Sequence, residues 1–200
     1  ILEEIKHLTK TGVKEVVLVG IEIASYGKDL NEDITLVDVV EEVSKIDNIE
    51  RIRLGSLEPN IITEDFASRI SNISKVCNHF HLSLQSGCTE TLKIMNRRYT
   101  ADEFYGIVKL LRKVIPEVAL TTDVIVGFPN ETDEDFKDTL NTCKKVGFAK
   151  IHVFPFSSRK GTVASKMSGQ VNGIIKKDRA KQLIQLSNEL GYMYNQQYVN

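Results

Sequence analysis

Two hundred residues, 42% hydrophobic and 26% charged, are enough for an ordinary domain with a real core. The net charge of −1 excludes a surface that is basic all over, so any RNA contact must come from a local patch. Cys77, Cys88 and Cys143 are widely scattered, with no metal-ligand spacing, and their odd number predicts reduced thiols in a cytoplasmic protein. The apolar runs are no longer than strands, so no membrane span is predicted.

The chain opens in helical character, with Ile1, Leu2, Ile5 and Leu8 on one face and Thr11-Gly12 as the stop. It has neither a signal peptide nor an initiator Met, which predicts a piece of a longer chain. Glu15 to Val19 reads as a strand running into the loop GIEIASYG, residues 20–27. Leu36, Val39, Val40, Val43 and Ile46 mark a helix, and Arg51 to Leu57 a second strand that stops at Glu58-Pro59 because proline cannot continue a ladder. Thr63 caps a helix carrying Phe66, Ile70 and Ile73.

The most informative stretch is His79 to Tyr99, HFHLSLQSGCTETLKIMNRRY. Phe80, Leu82 and Leu84 alternate with His81, Ser83 and Gln85, a strand that ends at Ser86-Gly87. A helical run with Leu92 and Met95 follows, then Arg97 and Arg98. Thr100 and Glu103 form a capping box for a helix with Phe104, Ile107, Val108, Leu111 and Val114 inside. Val118 to Val126 is nearly continuous in apolar and β-branched residues, as a strand buried on both faces should be, and ends at Gly127-Phe128-Pro129. Thr132 and acidic residues open a helix with Phe136, Leu140, Cys143 and Val146 inside. Lys150 to Phe156 is a fifth strand, Ser157 to Gly169 a polar loop, and Ile174 to Tyr198 a long helix with Leu183, Leu186, Leu190 and Met193 on one side.

Strands alternating with helices at this spacing demand parallel pairing and right-handed crossovers. A closed eight-stranded barrel needs about 250 residues, so the prediction is an α/β fold of the partial, open (β/α) barrel type, its first strand missing from this chain. Function in such a barrel sits at the carboxyl ends of strands. Those positions carry Glu22, Glu58 and Gln85, with Asp123 inside the fourth strand, Gly127 closing it and Arg97 one helix after the third. Carboxylate and amide oxygens accept from sugar hydroxyls, and a guanidinium forks onto a carboxylate or phosphate. Asp123, among Leu120, Val124, Ile125 and Val126, is costly unless paired, so it serves either a ligand or a structural ion pair. A side chain at Gly127 would block a ligand or strain the turn. Cys88 reads as a small residue in a tight turn, and His7, His79, His81 and His152 as core or surface groups.

HLSLQSGCTETLKIMNRRYT, LTTDVIVGFPNET and HVFPFSSRKGTVASKM resemble the radical S-adenosylmethionine methylthiotransferases, and more narrowly the tRNA branch acting on threonylcarbamoyladenosine beside the anticodon. The GIEIASYG loop and the RIRLGSLEP strand agree, so the resemblance runs from about Val16 to Met167. It implies a partial six-stranded barrel over residues 1–167, then a carboxyl-terminal helix over 168–200 leading toward an RNA-binding β domain. It implies S-adenosylmethionine and [4Fe-4S] clusters as cofactors, a tRNA anticodon loop as partner, and an electron donor for cluster reduction. Carried over residue by residue, Glu58, Gln85, Arg97 and Asp123 would bind the sugar and methionine parts. Ile125 to Gly127 would lie along the adenine, and Gly20 to Glu22 at the methionine amino group. The CxxxCxxC that ligates the radical-generating cluster is absent from these residues and is expected before Ile1, so the piece alone should catalyse nothing. In the longer protein the implied reaction is removal of hydrogen from C2 of adenosine 37 by a 5'-deoxyadenosyl radical and insertion there of an already methylated sulfur from a second cluster. Arg159 and Lys160 are candidate phosphate contacts, with Lys176, Lys177, Arg179 and Lys181 either a second group or a solvated helix face. The rivals are a sister branch acting on another tRNA adenosine or a ribosomal protein aspartate, and a noncatalytic (β/α) binding module or radical-free lyase. A lyase would want a strand-end lysine, and no strand end carries one.

Overall fold

A computed structural model describes residues 1–30 and 33–199. The elements in chain order are α1 (Leu2–Lys10), β1 (Glu15–Leu18), α2 (Leu36–Ser44), β2 (Arg51–Leu54), α3 (Glu64–Ser71), β3 (His79–His81), α4 (Thr89–Ile94), α5 (Ala101–Val114), β4 (Ala119–Val126), α6 (Asp133–Val146), β5 (Lys150–Pro155), α7 (Val163–Lys166) and α8 (Gly173–Gln196). Contacts divide the chain into two units: Ile1–Leu82 with Lys109–Ala119, and Ser83–Val108 with the chain from Leu120 onward.

In the first unit β1 and β2 pair in parallel, Glu15 opposite Arg51 and Leu18 opposite Leu54. Glu15 ties the register, accepting from Arg51 Nε at 2.6 Å and Arg53 Nε at 2.7 Å. Helix α2 starts where Thr35 and Asp38 cap each other, and buries Leu36, Val37, Val39, Val40 and Val43. Helix α3 starts at Thr63, whose hydroxyl accepts from the Phe66 N–H at 3.1 Å, and packs along α2 with Arg69 on Asp38 and Glu41. Parallel bridges Ile52–Val76 and Leu57–Leu82 carry the pattern on toward β3.

In the second unit β4 and β5 pair in parallel, with Thr121 opposite Lys150 and Val126 opposite Pro155. The T-x-x-E box at Thr100 forms, its N–H meeting Glu103 Oε2 at 2.7 Å. Phe104 and Phe148 are fully buried with ring centroids 6.1 Å apart. Helix α6 is capped reciprocally by Thr132 and Asp135 and ends on Gly147 at φ 64°. Leu183, Leu186 and Leu190 seat α8, and Ser187 Oγ accepts from Ile151 N at 2.9 Å while donating to Ile151 O at 3.2 Å.

Several boundaries differ from the sequence prediction. The ladders of the first two strands end at Leu18 and Leu54, and 3-10 turns at Ile23–Ser25 and Pro59–Ile61 occupy predicted loops. Phe80, Leu82 and Leu84 are fully buried as predicted, but regular pairing covers only His79–His81. Strand β4 is not buried on both faces: Leu120, Thr122, Val124 and Val126 are enclosed, while Thr121, Asp123 and Ile125 face a more open side. Its β-branched content concealed this alternation, since Thr and Ile suit a half-buried surface as well as a core. The polar loop contains the short helix α7, started by Thr162 accepting from Ser165 N. Met193 is 67% exposed and does not share the buried stripe of α8.

Candidate functional site

In the first unit Gly20 and Glu22 lie just past β1, both exposed. The Glu22 carbonyl accepts from Ser25 N at 2.9 Å and Ser25 Oγ at 2.8 Å, so the loop closes on itself and leaves the carboxylate at the surface. Glu58 sits past β2, exposed, in extended backbone ahead of Pro59 and its 3-10 turn. The ladder has already ended at Leu54 rather than at Pro59, and two residues before the proline Leu57 N donates to His81 O at 2.8 Å.

In the second unit Gln85 is locked against β4. Its N–H donates to Asp123 O at 2.9 Å and its carbonyl accepts from Ile125 N at 2.9 Å. Its φ is +65°, a left-handed conformation that costs a β-carbon-bearing residue and turns the chain sharply after one bridge. The next turn is clasped by α6: Gly87 N donates to Thr139 Oγ1 at 3.2 Å, and Thr142 Oγ1 donates to Gly87 O at 2.8 Å. A β-carbon at Gly87 would lie 2.7 Å from Thr139 Cα, so the residue must be glycine for close approach. Tyr99 then pins the link between α4 and α5, its hydroxyl meeting Ser83 O at 2.7 Å and Leu84 O at 3.1 Å. Arg97, two residues earlier, is half-buried, whereas Arg98 is exposed.

Asp123 lies on the open face of β4, paired in register with His152; Ile125 pairs with Phe154, which is 50% exposed. Thus Gln85 meets Asp123 and Ile125 of β4 through its backbone, Tyr99 holds the Ser83 and Leu84 carbonyls just before it, and His152 stands beside Asp123 in the ladder. The sequence set His152 aside because its neighbour is 29 positions away and meets it only through parallel register.

Gly127 closes β4 at φ +71°, which meets the expected need for glycine in the turn. The space beyond its Cα is taken by α8: a β-carbon would lie 2.4 Å from Lys176 Cγ. Its N–H, with that of Phe128, donates to Glu131 Oε2 at 2.9 and 3.3 Å. Glu131 in turn takes Arg179 Nη1 at 2.8 Å, and the two side chains are only 2% and 5% exposed. Burial pushes the Glu131 carboxyl up from its ordinary value, against the opposing pull of Arg179 and the two turn N–H groups. Arg179 is therefore no phosphate contact, correcting the reading of the α8 cations as one group. Lys176 Nζ is also engaged, on Phe156 O at 3.1 Å, while Lys177, Lys181, Arg159 and Lys160 are exposed. The sequence signal for the missed pair was Glu131 four residues past the glycine turn, with an arginine one helical turn after Lys176.

The thiols do not form a metal set. Cys143 is fully buried and its thiol is pushed up to about 12 by desolvation. Burial also raises Cys88, which donates to Asp135 Oδ1 at 3.2 Å. Among the described residues the three thiols are not grouped within ligating distance of one another, so they do not make a cluster site.

Two bacterial enzymes, from Acetivibrio thermocellus and Caldicellulosiruptor saccharolyticus, match at 41% and 43% identity over 100% and 98% of this chain, and 42% of each relative; both are called tRNA-2-methylthio-N(6)-dimethylallyladenosine synthase. The chain thus spans about four-tenths of the length of the curated relatives it matches. Coproporphyrinogen III oxidase from Escherichia coli, a radical SAM enzyme, shares the fold with a TM-score of 0.69 at 16% identity, over 94% of this chain and 44% of its own. Methylornithine synthase does so with a TM-score of 0.61 at 18% identity, over 94% and 53%. These neighbours and the uniformly parallel, unclosed strand pairs agree with the open (β/α) barrel class predicted from the sequence. With that fold, and with the radical SAM superfamily model matching residues 1–143, the chain belongs to the radical SAM superfamily.

Proposed function

We propose that this chain is the core of a tRNA methylthiotransferase that adds a methylthio group to C2 of N6-threonylcarbamoyladenosine 37 by radical S-adenosylmethionine chemistry. The observation that supports the reading is the backbone of Gln85, left-handed and bonded to Asp123 O and Ile125 N, so that two of the residues expected at the cofactor meet along β4. Amide, carboxylate and guanidinium are the donor and acceptor set that a sulfonium nucleoside with an amino-acid tail requires, so Gln85, Asp123 and Arg97 fit that cofactor. In this reading Gln85 and Glu58 accept from the ribose hydroxyls and Arg97 forks onto the methionine carboxylate. The Ile125–Gly127 backbone lies along the adenine, and Glu22 with Gly20 serves the amino group. When bound, S-adenosylmethionine supplies the one-electron and methyl-donor chemistry; the barrel residues orient it and exclude water. Because the three thiols are not grouped as ligands, the cluster's cysteines belong in this reading to the longer protein, as does the RNA-binding domain toward which residues 168–200 lead, and the electron donor for the cluster is a separate partner. Exposed Arg159 and Lys160, in the loop after β5, would touch phosphates of the anticodon loop, where unstacked bases are accessible.

The threonylcarbamoyl substrate rests on the resemblance of HLSLQSGCTETLKIMNRRYT, LTTDVIVGFPNET and HVFPFSSRKGTVASKM to that branch. The names of the 41–43% identical relatives favour a dimethylallyl substrate as the second reading. Complementing a strain that lacks the gene with the full-length protein, then analysing its tRNA hydrolysate by mass spectrometry, separates them. The 2-methylthio derivative of threonylcarbamoyladenosine is expected; finding it only on dimethylallyladenosine replaces the first reading, and finding neither removes both.

A further inference from the structure

We propose that Arg179 and Lys176 of α8 are positioning residues, setting the shape of the turn that closes β4 and through it the backbone offered to the cofactor. The inference rests on the functional reading above for what the turn holds; the bracing itself is read from the coordinates. Arg179 holds Glu131 at two points, Nη1 donating to its carboxylate at 2.8 Å and to its carbonyl at 3.1 Å, while Nη2 reaches Asp133 at 2.7 Å. Glu131 passes that hold to the N–H groups of Gly127 and Phe128. Lys176 makes the second brace. Its stem fills the space beyond Gly127 Cα, and its ammonium holds Phe156 O, whose residue donates its own N–H to Val126 O at 2.8 Å. One helix therefore ties together the carboxyl ends of two adjacent strands.

Anchoring α8 does not require this arrangement, because Leu183, Leu186, Leu190 and Ser187 already do so one to three turns further on. A buried ion pair is also an expensive anchor, since an apolar pair of similar volume stabilises as well or better. The cost here is increased by Arg179 Nε, which is buried without a hydrogen-bond partner among the described residues. What such a pair provides and an apolar one cannot is direction: two backbone N–H groups fixed on one oxygen.

The test uses the full-length protein with Arg179→Met, Arg179→Lys and Lys176→Met, titrated calorimetrically with S-adenosylhomocysteine, and amide hydrogen exchange at Gly127 and Phe128. Arg179→Met is expected to weaken the ligand about tenfold, the effect of losing charge-assisted hydrogen bonds on a buried turn. Exchange at the two amides should speed up while core amides of β4 and β5 stay protected. Arg179→Lys should recover part of the affinity, which a merely bulky anchor would not distinguish from Met. Should Arg179→Met fail to fold, Glu131→Gln, which keeps shape and an acceptor but drops the charge, and Lys176→Met carry the same expectations. Faster exchange with unchanged affinity in every folded variant overturns the proposal, as does unchanged exchange. These readouts do not use tRNA, so a failed methylthiolation assay and a failed brace are distinguishable.

Discussion

Gly127→Ala probes the brace from the other side. At φ +71° an alanine pays the left-handed penalty of roughly 1–2 kcal/mol. Its methyl would also lie 2.4 Å from Lys176 Cγ and 3.1 Å from Cδ, atoms near the root of the side chain rather than at its mobile end. Relieving the overlap means moving the stem and breaking the 3.1 Å bond to Phe156 O, an overpacking cost of about 1–3 kcal/mol. The sum is about 2–5 kcal/mol in the native background. With Lys176→Ala in place the Cγ and Cδ overlaps disappear, leaving a 3.3 Å approach to Cβ and the backbone penalty of roughly 1–2 kcal/mol. A double-mutant cycle by urea unfolding should therefore return a coupling of about 1–3 kcal/mol. If Gly127→Ala costs the same in both backgrounds, Lys176 does not occupy the space beyond the glycine and the two-point brace is refuted.

Acid behaviour offers an independent check within the first unit. The Arg69 hydrogen bond, then those from Thr35, lower the Asp38 carboxyl to about 2. Its ionised form is favoured by folding, so this stabilisation is complete above the ordinary value near 3.8 and is lost as pH falls toward 2. A carbon-13 NMR titration should find Asp38 still ionised at pH 3, and Arg69→Met should raise its midpoint part of the way toward the ordinary value, the Thr35 bonds remaining; a normal Asp38 midpoint in the native chain sinks this account. The edge of β1 predicts association: Val17 and Val19 are 53% and 74% exposed beside an apolar groove of about 450 Å³ lined by Ile5, Leu8 and Val16. Light scattering of these 200 residues should show mass rising with concentration and Val17→Lys suppressing it, whereas a native monomer at every concentration contradicts that view of the edge.

Local chemistry made most of the elements legible without coordinates. Thr63, Thr100 and Thr132 announced helix starts because a hydroxyl three residues before an orphan N–H is a nearest-neighbour effect. Gly127 marked the end of β4 because glycine alone adopts a left-handed turn without penalty, Pro59 marked the turn after β2 because its φ is fixed, and the alternation of Phe80, Leu82 and Leu84 declared their buried face. The parallel class followed from the order of strands and helices alone. What the sequence could not state is which distant groups meet. His152 stands beside Asp123 through ladder register, and Arg179 turns inward to Glu131, 48 positions earlier, although by composition it belongs to an exposed basic run. A charge is normally left in water, and only a preformed acceptor of opposite sign with hydrogen bonds on both sides reverses that preference. Such an acceptor exists only after the turn beyond β4 has folded against α8, and that was decided by tertiary packing.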